Sequence, residues 1–247
     1  MTSVRLERDG PVARVTLARP ERRNALDGEL IGTLTEAFQN VGDARAVVLA
    51  GDGPSFCAGA DVEWMRSSID LSHAENVEDA LRLHTLLVAI DSCPAPVIAR
   101  VHGHVLGGGA GLVVCCDIVV AAPETLFGFT ETKLGIVPAV ISPFALAKIG
   151  ASAARRYFVT GERFGAEEAL RIGLVHAVGD DAEPIVAELL SAGPEAARIA
   201  KQLARAPHEA DDTVRMTAER RTSAEGQEGL RAFLEKREPS WRSRSSS

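Results

Sequence analysis

Two short segments and one carboxylate carry the residue types that could do chemistry. The first segment is Gly107-Gly108-Gly109-Ala110-Gly111, which follows an apolar stretch at 97–101 and leads into another at 112–116. Glycines crowded at such a junction let backbone approach a ligand where a side chain would intrude. The first N–H groups of a helix lack internal partners and lie at the positive end of its dipole, so the junction suits a negatively charged oxygen. The second segment, Ser55-Phe56-Cys57-Ala58-Gly59-Ala60-Asp61, is a tight turn whose small residues expose amides. Two N–H donors converging on one carbonyl oxygen form an oxyanion hole, and removing one donor typically costs about 10²–10³ in rate. Close packing of backbone would explain either segment equally well on its own. The carboxylate is Glu131, set among Phe127, Gly128, Phe129 and Leu134 rather than among other acids. Apolar surroundings raise a carboxyl pKa and fit it for acid–base work near neutrality. An isolated loop glutamate is more commonly just solvated.

Other chemistries fit poorly. A dinucleotide fingerprint fails because the third residue after Gly109 is Leu112, and no Gly-Lys-Ser/Thr follows to make a phosphate loop. Ser142 lies in no nucleophile elbow, and its neighbour Pro143 marks a helix start instead. The six histidines form no metal pattern; His102 and His104 flank Gly103 and fit packing or hydrogen bonding better than catalysis. A net charge of −7 argues against nucleic acid or an anionic membrane as the partner. Cys57, Cys93, Cys115 and Cys116 lack redox or metal spacing, which points to a reducing compartment. With no signal-like start and no apolar run of membrane-spanning length, a cytoplasmic protein is expected.

Elements must hold these groups. Apolar alternation at 4–8 and 12–17 around Asp9-Gly10-Pro11 predicts a hairpin. Asp27 is a plausible cap for a helix to about residue 40, with Leu30, Leu34 and Phe38 on one face. Short strands are expected at 46–50, 97–101, 117–121 and 125–127, and a helix at 75–90. Three apolar strands thus run into glycine-bearing turns, which suits stacked strand-turn-helix units. From residue 142 onward only helices are expected: 142–149, 151–159, 166–170, 184–192, 194–206, 211–223 and 224–235. The predicted organisation is an α/β core over 1–190 and a helical region over 191–247, with a disordered tail from about 243.

At these segments the chain resembles the crotonase superfamily, the enoyl-CoA hydratase/isomerase family. The likeness covers Arg19-Pro20 with Asn24-Ala25-Leu26, Phe56 to Asp61, Pro96 to Ala99 with Leu106-Gly107-Gly108-Gly109, and Cys116-Asp117-Ile118. It continues through Phe127-Gly128, Glu131, Leu134 to Pro138, Gly173-Leu174-Val175 and Ala232 to Arg237. The resemblance implies a spiral of ββα-like units, C-terminal helices that build a homotrimer or a dimer of trimers, and an acyl-CoA thioester as substrate. No separate cofactor is implied, since coenzyme A is part of the substrate. Ala60 and Gly108 match the family's oxyanion hole, with Ala58, Asp61, Gly107 and Gly111 beside it. Arg22 or Arg23 would meet CoA phosphate, as would Lys236 from a neighbouring subunit; ordinary solvation of these cations is an equal alternative.

One departure stands out. Hydratases of the family carry a second glutamate in the helix after the glycine run, and that position is Gly111. A positioned acid or base commonly contributes 10²–10⁴-fold, so two-carboxylate hydration is in doubt. A glycine there is also expected to free volume for a branched or carboxylated acyl chain. The segment 138–144, with Arg155-Arg156-Tyr157-Phe158, resembles hydratases of branched glutaconyl-CoA esters. The first expectation is therefore syn hydration of a 2-enoyl-CoA by Glu131 alone. The second is an isomerase moving a 3-enoyl double bond to the 2-position, for which one carboxylate suffices. The third is a CoA-ester-binding scaffold without turnover.

Overall fold

The computed structural model describes residues 2–205 and 208–242. The hairpin forms as expected: β1 (Val4–Asp9) pairs antiparallel with β2 (Val12–Leu17), Asp9 opposite Val12. The other edge of β2 pairs in parallel with β3 (Ala46–Gly51), every residue of which is buried. Complete burial is what a parallel strand covered on both faces requires. Between them runs α1 (Gly28–Gln39), capped by Asp27, whose carboxylate accepts from the Leu30 amide at 2.9 Å; Leu30, Leu34 and Phe38 face the core.

The next turns repeat one scheme. After β3 come α2 (Val62–Ser67) and α3 (His73–Asp91), the latter opened by a Ser72–Glu75 capping box. Then follow β4 (Val97–Val101), β5 (His104–Leu106), α4 (Gly108–Val114), β6 (Ile118–Ala121) and β7 (Leu126–Gly128). β3, β4 and β6 lie side by side in parallel, while Cys57, β5 and β7 form a second parallel ladder alongside. Each turn thus adds one strand to a large sheet and, after a corner, one strand or bridge to a small one. This is the spiral of strand pairs expected of the fold class, α/β with a helical C-terminal region.

Beyond residue 142 the sequence reading needs correction. α5 (Ser142–Thr160) is interrupted at Gly150, whose φ of 71° separates the two helices expected there. Two strands also occur: β8 (Phe164–Gly165), antiparallel to β7, and β9 (Ala177–Val178), parallel to β6, with α6 (Ala166–Arg171) between them. At two residues each they are too short to show a period of two, so no alternating pattern announces them. The helices α7 (Glu183–Ser191), α8 (Pro194–Leu203), α9 (Ala210–Thr222) and α10 (Ala224–Leu234) follow. The tail expected to be disordered from about 243 lies outside the described residues.

Two lysines, Lys201 buried and Lys148 half-buried, fasten helices to the sheet. Lys148 of α5 donates to the carbonyls of Cys116 (2.7 Å) and Asp117 (3.0 Å), and burial pushes its ammonium below the usual lysine pKa. Lys201 of α8 has a side chain 5% exposed and pairs with the Asp117 carboxylate at 2.7 Å. The same Asp117 oxygen accepts from the Val97 amide at 2.7 Å, so α8 is tied to the start of β4.

Asn24 is the polar anchor nearest the chemistry. It is fully buried with φ of 54°, a region asparagine tolerates better than most residues. Its side-chain oxygen accepts from the Arg19 amide (2.8 Å), and its Nδ2 donates to Asp52 O and Ser55 O (both 2.9 Å). Asn24→Ala leaves these buried groups without partners and is expected to cost about 3 kcal/mol. Urea unfolding would show this as a lower midpoint with an unchanged slope.

Candidate active site

The segment 57–61 is held from both sides. On one side Ala58 N donates to Arg23 O (3.0 Å), Leu26 N to Gly59 O (2.7 Å) and Asp61 N to Leu26 O (2.8 Å). On the other, Cys57 N donates to His104 O (3.0 Å) and Leu106 N to Cys57 O (3.1 Å). In such a parallel bridge Leu26 bonds the residues flanking Ala60, so the Ala60 amide points away from Leu26. No backbone acceptor among the described residues receives it. Gly59 has φ of 104°, and a Cβ there would lie 3.2 Å from Leu106 O, so only glycine fits this approach.

The glycine run opens α4 as expected. Gly107 N donates to Gly128 O at 2.8 Å, and the φ, ψ of 50°, −120° at Gly107 turn the chain from β5 into the helix. The Gly108 amide is the first of α4 and finds no backbone acceptor among the described residues. A Cβ on Gly108 would come within 2.6 Å of Leu26 Cδ1. Leu26 therefore braces both segments, with its backbone against Ala60 and its side chain against Gly108.

Ala58, Ala60, Gly107, Gly108 and Glu131 all line one cavity of about 460 Å³. That volume lies within the range of small-molecule sites. Glu131 starts the short 3-10 turn Glu131–Leu134, and its Oε1 lies 3.7 Å from where a Cβ on Gly107 would be. Its Oε2 is buried and has no hydrogen-bond partner among the described residues. Burial pushes the carboxyl pKa up, offset in part by the residue's own amide. A half-buried carboxyl with an unclaimed oxygen, bordering the same cavity as two amides with no acceptor among the described residues, has the chemistry to move protons beside a carbonyl bound there.

Other sequence-predicted residues lie elsewhere. Asp61 is buried and caps α2, accepting from Glu63 N (2.9 Å) and Trp64 N (3.3 Å). Burial raises its pKa, but those amides and Arg22 together hold it below the usual carboxylate range. Arg22 is half-exposed and bonds Asp61 at 3.2 Å; Arg23 takes a left-handed conformation and supplies the carbonyl for Ala58. Neither arginine lines the cavity, nor does Lys236, which follows α10.

Gly111 is buried and is absent from the lining, which corrects the expectation of freed volume beside it. A Cβ there would meet Ile141 Cγ1 at 3.0 Å, Ile141 Cδ1 at 3.1 Å and Leu87 Cδ2 at 3.6 Å. The place a side chain would need is filled by hydrocarbon. Sequence reasoning also missed α2, whose Trp64 and Met65 line the cavity, and the wall residues Asn76, Asp79, Ile141 and Arg163. A signal for α3 was present: Asp79, Leu83, Leu86, Leu87 and Ile90 follow helical spacing and face inward. A second cavity, about 560 Å³ between α8, α9 and α10, holds none of the sequence-predicted site residues.

Comparison with known proteins shows the family. Residues 7–244 match the family model described as enoyl-CoA hydratase/isomerase. A relative from Thermus thermophilus, described provisionally as an enoyl-CoA hydratase, is 35% identical and covers 93% of this chain and 97% of its own length. The crystal structure of an enoyl-CoA hydratase from Shewanella pealeana superposes with a TM-score of 0.90 at 37% identity, covering 97% of this chain and 96% of that one. One from Mycobacterium smegmatis gives 0.90 at 32% identity, covering 97% and 99%. With a family match over nearly its whole length and relatives well above 30% identity, this chain belongs to the enoyl-CoA hydratase/isomerase family.

Proposed function

We propose that the chain acts on enoyl-CoA thioesters, with the amides of Ala60 and Gly108 holding the thioester oxygen and Glu131 moving the proton. One observation carries this reading: two unpartnered amides and a buried, half-free carboxyl border the same cavity. In hydration, the Glu131 carboxylate takes a proton from water as the water oxygen bonds Cβ. The π pair moves onto the thioester oxygen as an enolate, which the two amides stabilise. Protonated Glu131 then delivers the proton to Cα on the same face, and the enolate collapses to the 3-hydroxyacyl ester. The hydratase names of the relatives support this outcome.

A double-bond shift is the second reading, and one observation favours it. The space beside Gly111 holds Ile141 rather than a second polar group that could anchor water. Glu131 would then remove a proton from Cα of a 3-enoyl ester and return it to Cγ, through the same enolate and without water. Crotonyl-CoA and 3-hexenoyl-CoA, each incubated with purified protein and followed by mass and retention time, separate the readings. Gain of the mass of water marks a hydratase, and an isobaric shift from the 3- to the 2-enoyl ester marks an isomerase. Binding of both esters with turnover of neither would leave only a scaffold.

The described residues also support assembly and location. Val214, Phe233 and Leu234, on α9 and α10, are 70–80% exposed, which favours a homo-oligomer through the C-terminal helices. No helix of the described residues is long and apolar enough to cross a membrane. Four buried free thiols fit a reducing compartment such as the cytoplasm.

Glu131→Gln should lower turnover about 10²–10⁴-fold while leaving acyl-CoA affinity within a few-fold. In the wild type, kcat/KM should fall as pH drops through a limb above the ordinary glutamate value of about 4.3. Because the folded-state pKa is raised, the wild type should lose stability relative to the Gln variant as pH rises through that pKa. The two should converge below about pH 4, as read by urea unfolding at several pH values. At Gly107, the backbone conformation rather than space excludes other residues, since a Cβ meets nothing nearer than 3.7 Å. Gly107→Ala should therefore cost about 1–3 kcal/mol of stability and, by turning the Gly108 amide, about 10²-fold in turnover.

A further inference from the structure

The inward stripe of α3 is apolar except at one place. Leu83, Leu86, Leu87 and Ile90 are buried or partly buried against the core, and Asp79 continues the same stripe one turn nearer the N-terminus. Asp79 lines the cavity with its side chain only 19% exposed. Its one ion pair is to Arg82 at 3.4 Å, a long contact to a side chain 60% exposed. Pairs of that kind hold little energy. A carboxylate can accept about four hydrogen bonds, so most of the capacity of Asp79 is uncommitted. Asn76, one turn further on, also lines the cavity; its Nδ2 donates to Leu71 O (3.1 Å) and Ser72 O (3.0 Å), which leaves the amide oxygen as a second acceptor.

Asp79 lies on α3, at some distance along the helix from the turn that packs on α4. Leu87 abuts the volume beside Gly111, three residues along α4 from Gly108. Asp79 lies eight residues earlier, about 12 Å along the helix axis at 1.5 Å per residue. Asp79 and Asn76 line the cavity together with Trp64, Met65 and Leu83, so an acyl chain long enough to reach this part of α3 would meet two acceptors there.

We propose that Asp79, with Asn76, recognises a hydrogen-bond donor on the distal part of the acyl chain, so that the enzyme prefers hydroxylated medium-chain acyl esters. The inference rests on the acyl-CoA reading above and deepens it. It also runs against a glutaconyl-like substrate, whose terminal carboxylate would meet a like charge. Arg163, an exposed cation that lines the same cavity, is the group that would read such an anion instead.

Binding and turnover test the two readings separately. Titration calorimetry with octanoyl-CoA, 8-hydroxyoctanoyl-CoA and the monothioester of octanedioic acid reads recognition without requiring catalysis. Turnover of crotonyl-CoA and 3-hexenoyl-CoA reads the catalytic assignment; its failure beside a preserved binding order would sink that assignment alone. The wild type should bind the hydroxy ester about 10-fold tighter than the alkyl ester, and the dioic ester weakest. Asp79→Leu should invert the order of the first two. Asp79→Asn, which keeps hydrogen bonding and removes charge, should retain the hydroxyl preference and relieve the penalty on the dioic ester. Equal affinity of wild type for the alkyl and hydroxy esters overturns the proposal, as does a hydroxyl preference that survives Asp79→Leu. Tightest binding of the dioic ester would overturn it in favour of Arg163.

Discussion

The site depends on Leu26. Its amide and carbonyl engage the residues on either side of Ala60, and its Cδ1 fills the space where Gly108 would otherwise carry a side chain. Two amides that are distant in sequence are thereby fixed against one residue rather than against each other. Such a brace sets donor directions before any ligand arrives, and fixed donors stabilise developing charge without reorganising during reaction. Asn24 reinforces the arrangement by binding the 52–55 turn to the segment that delivers Leu26.

Against this pair stands Glu131, the acid proposed to move the proton. Its raised pKa comes from burial and not from a neighbouring carboxylate, because the position that would supply one is Gly111, closed off by Ile141. Two facing carboxylates shift one another through like-charge repulsion, whereas one in apolar surroundings shifts through lost hydration. The first arrangement couples two proton carriers. In the second, ionisation answers chiefly to the polarity of the cavity, and therefore to whether a bound molecule has displaced water from it.

Much of the site was legible in the sequence because it is built from backbone. Gly107 and Gly59 adopt positive φ, and sequence shows such demands plainly as glycine. Asp27 announced its helix in the same way. The cavity walls were harder to read. Ile141 is an ordinary apolar residue, and only the fold brings it against Gly111. α2 has six residues, too few for a helical period to declare itself, and its cap Asp61 reads equally as a ligand contact. The strands β8 and β9 were missed for the same reason of length. Cationic side chains were least legible: Arg22 turns to Asp61, an interaction that no spacing reveals.

Lys201 carries a consequence for biosynthesis. Asp117 lies just before β6, yet its buried partner Lys201 arrives from α8, more than eighty residues later. Until that stretch leaves the ribosome, a nascent chain holding all the strands of both sheets lacks this ion pair. The tie between α8 and the start of β4 is therefore closed only after the strands of both sheets have been made, and the order of synthesis sets the order in which the two can join.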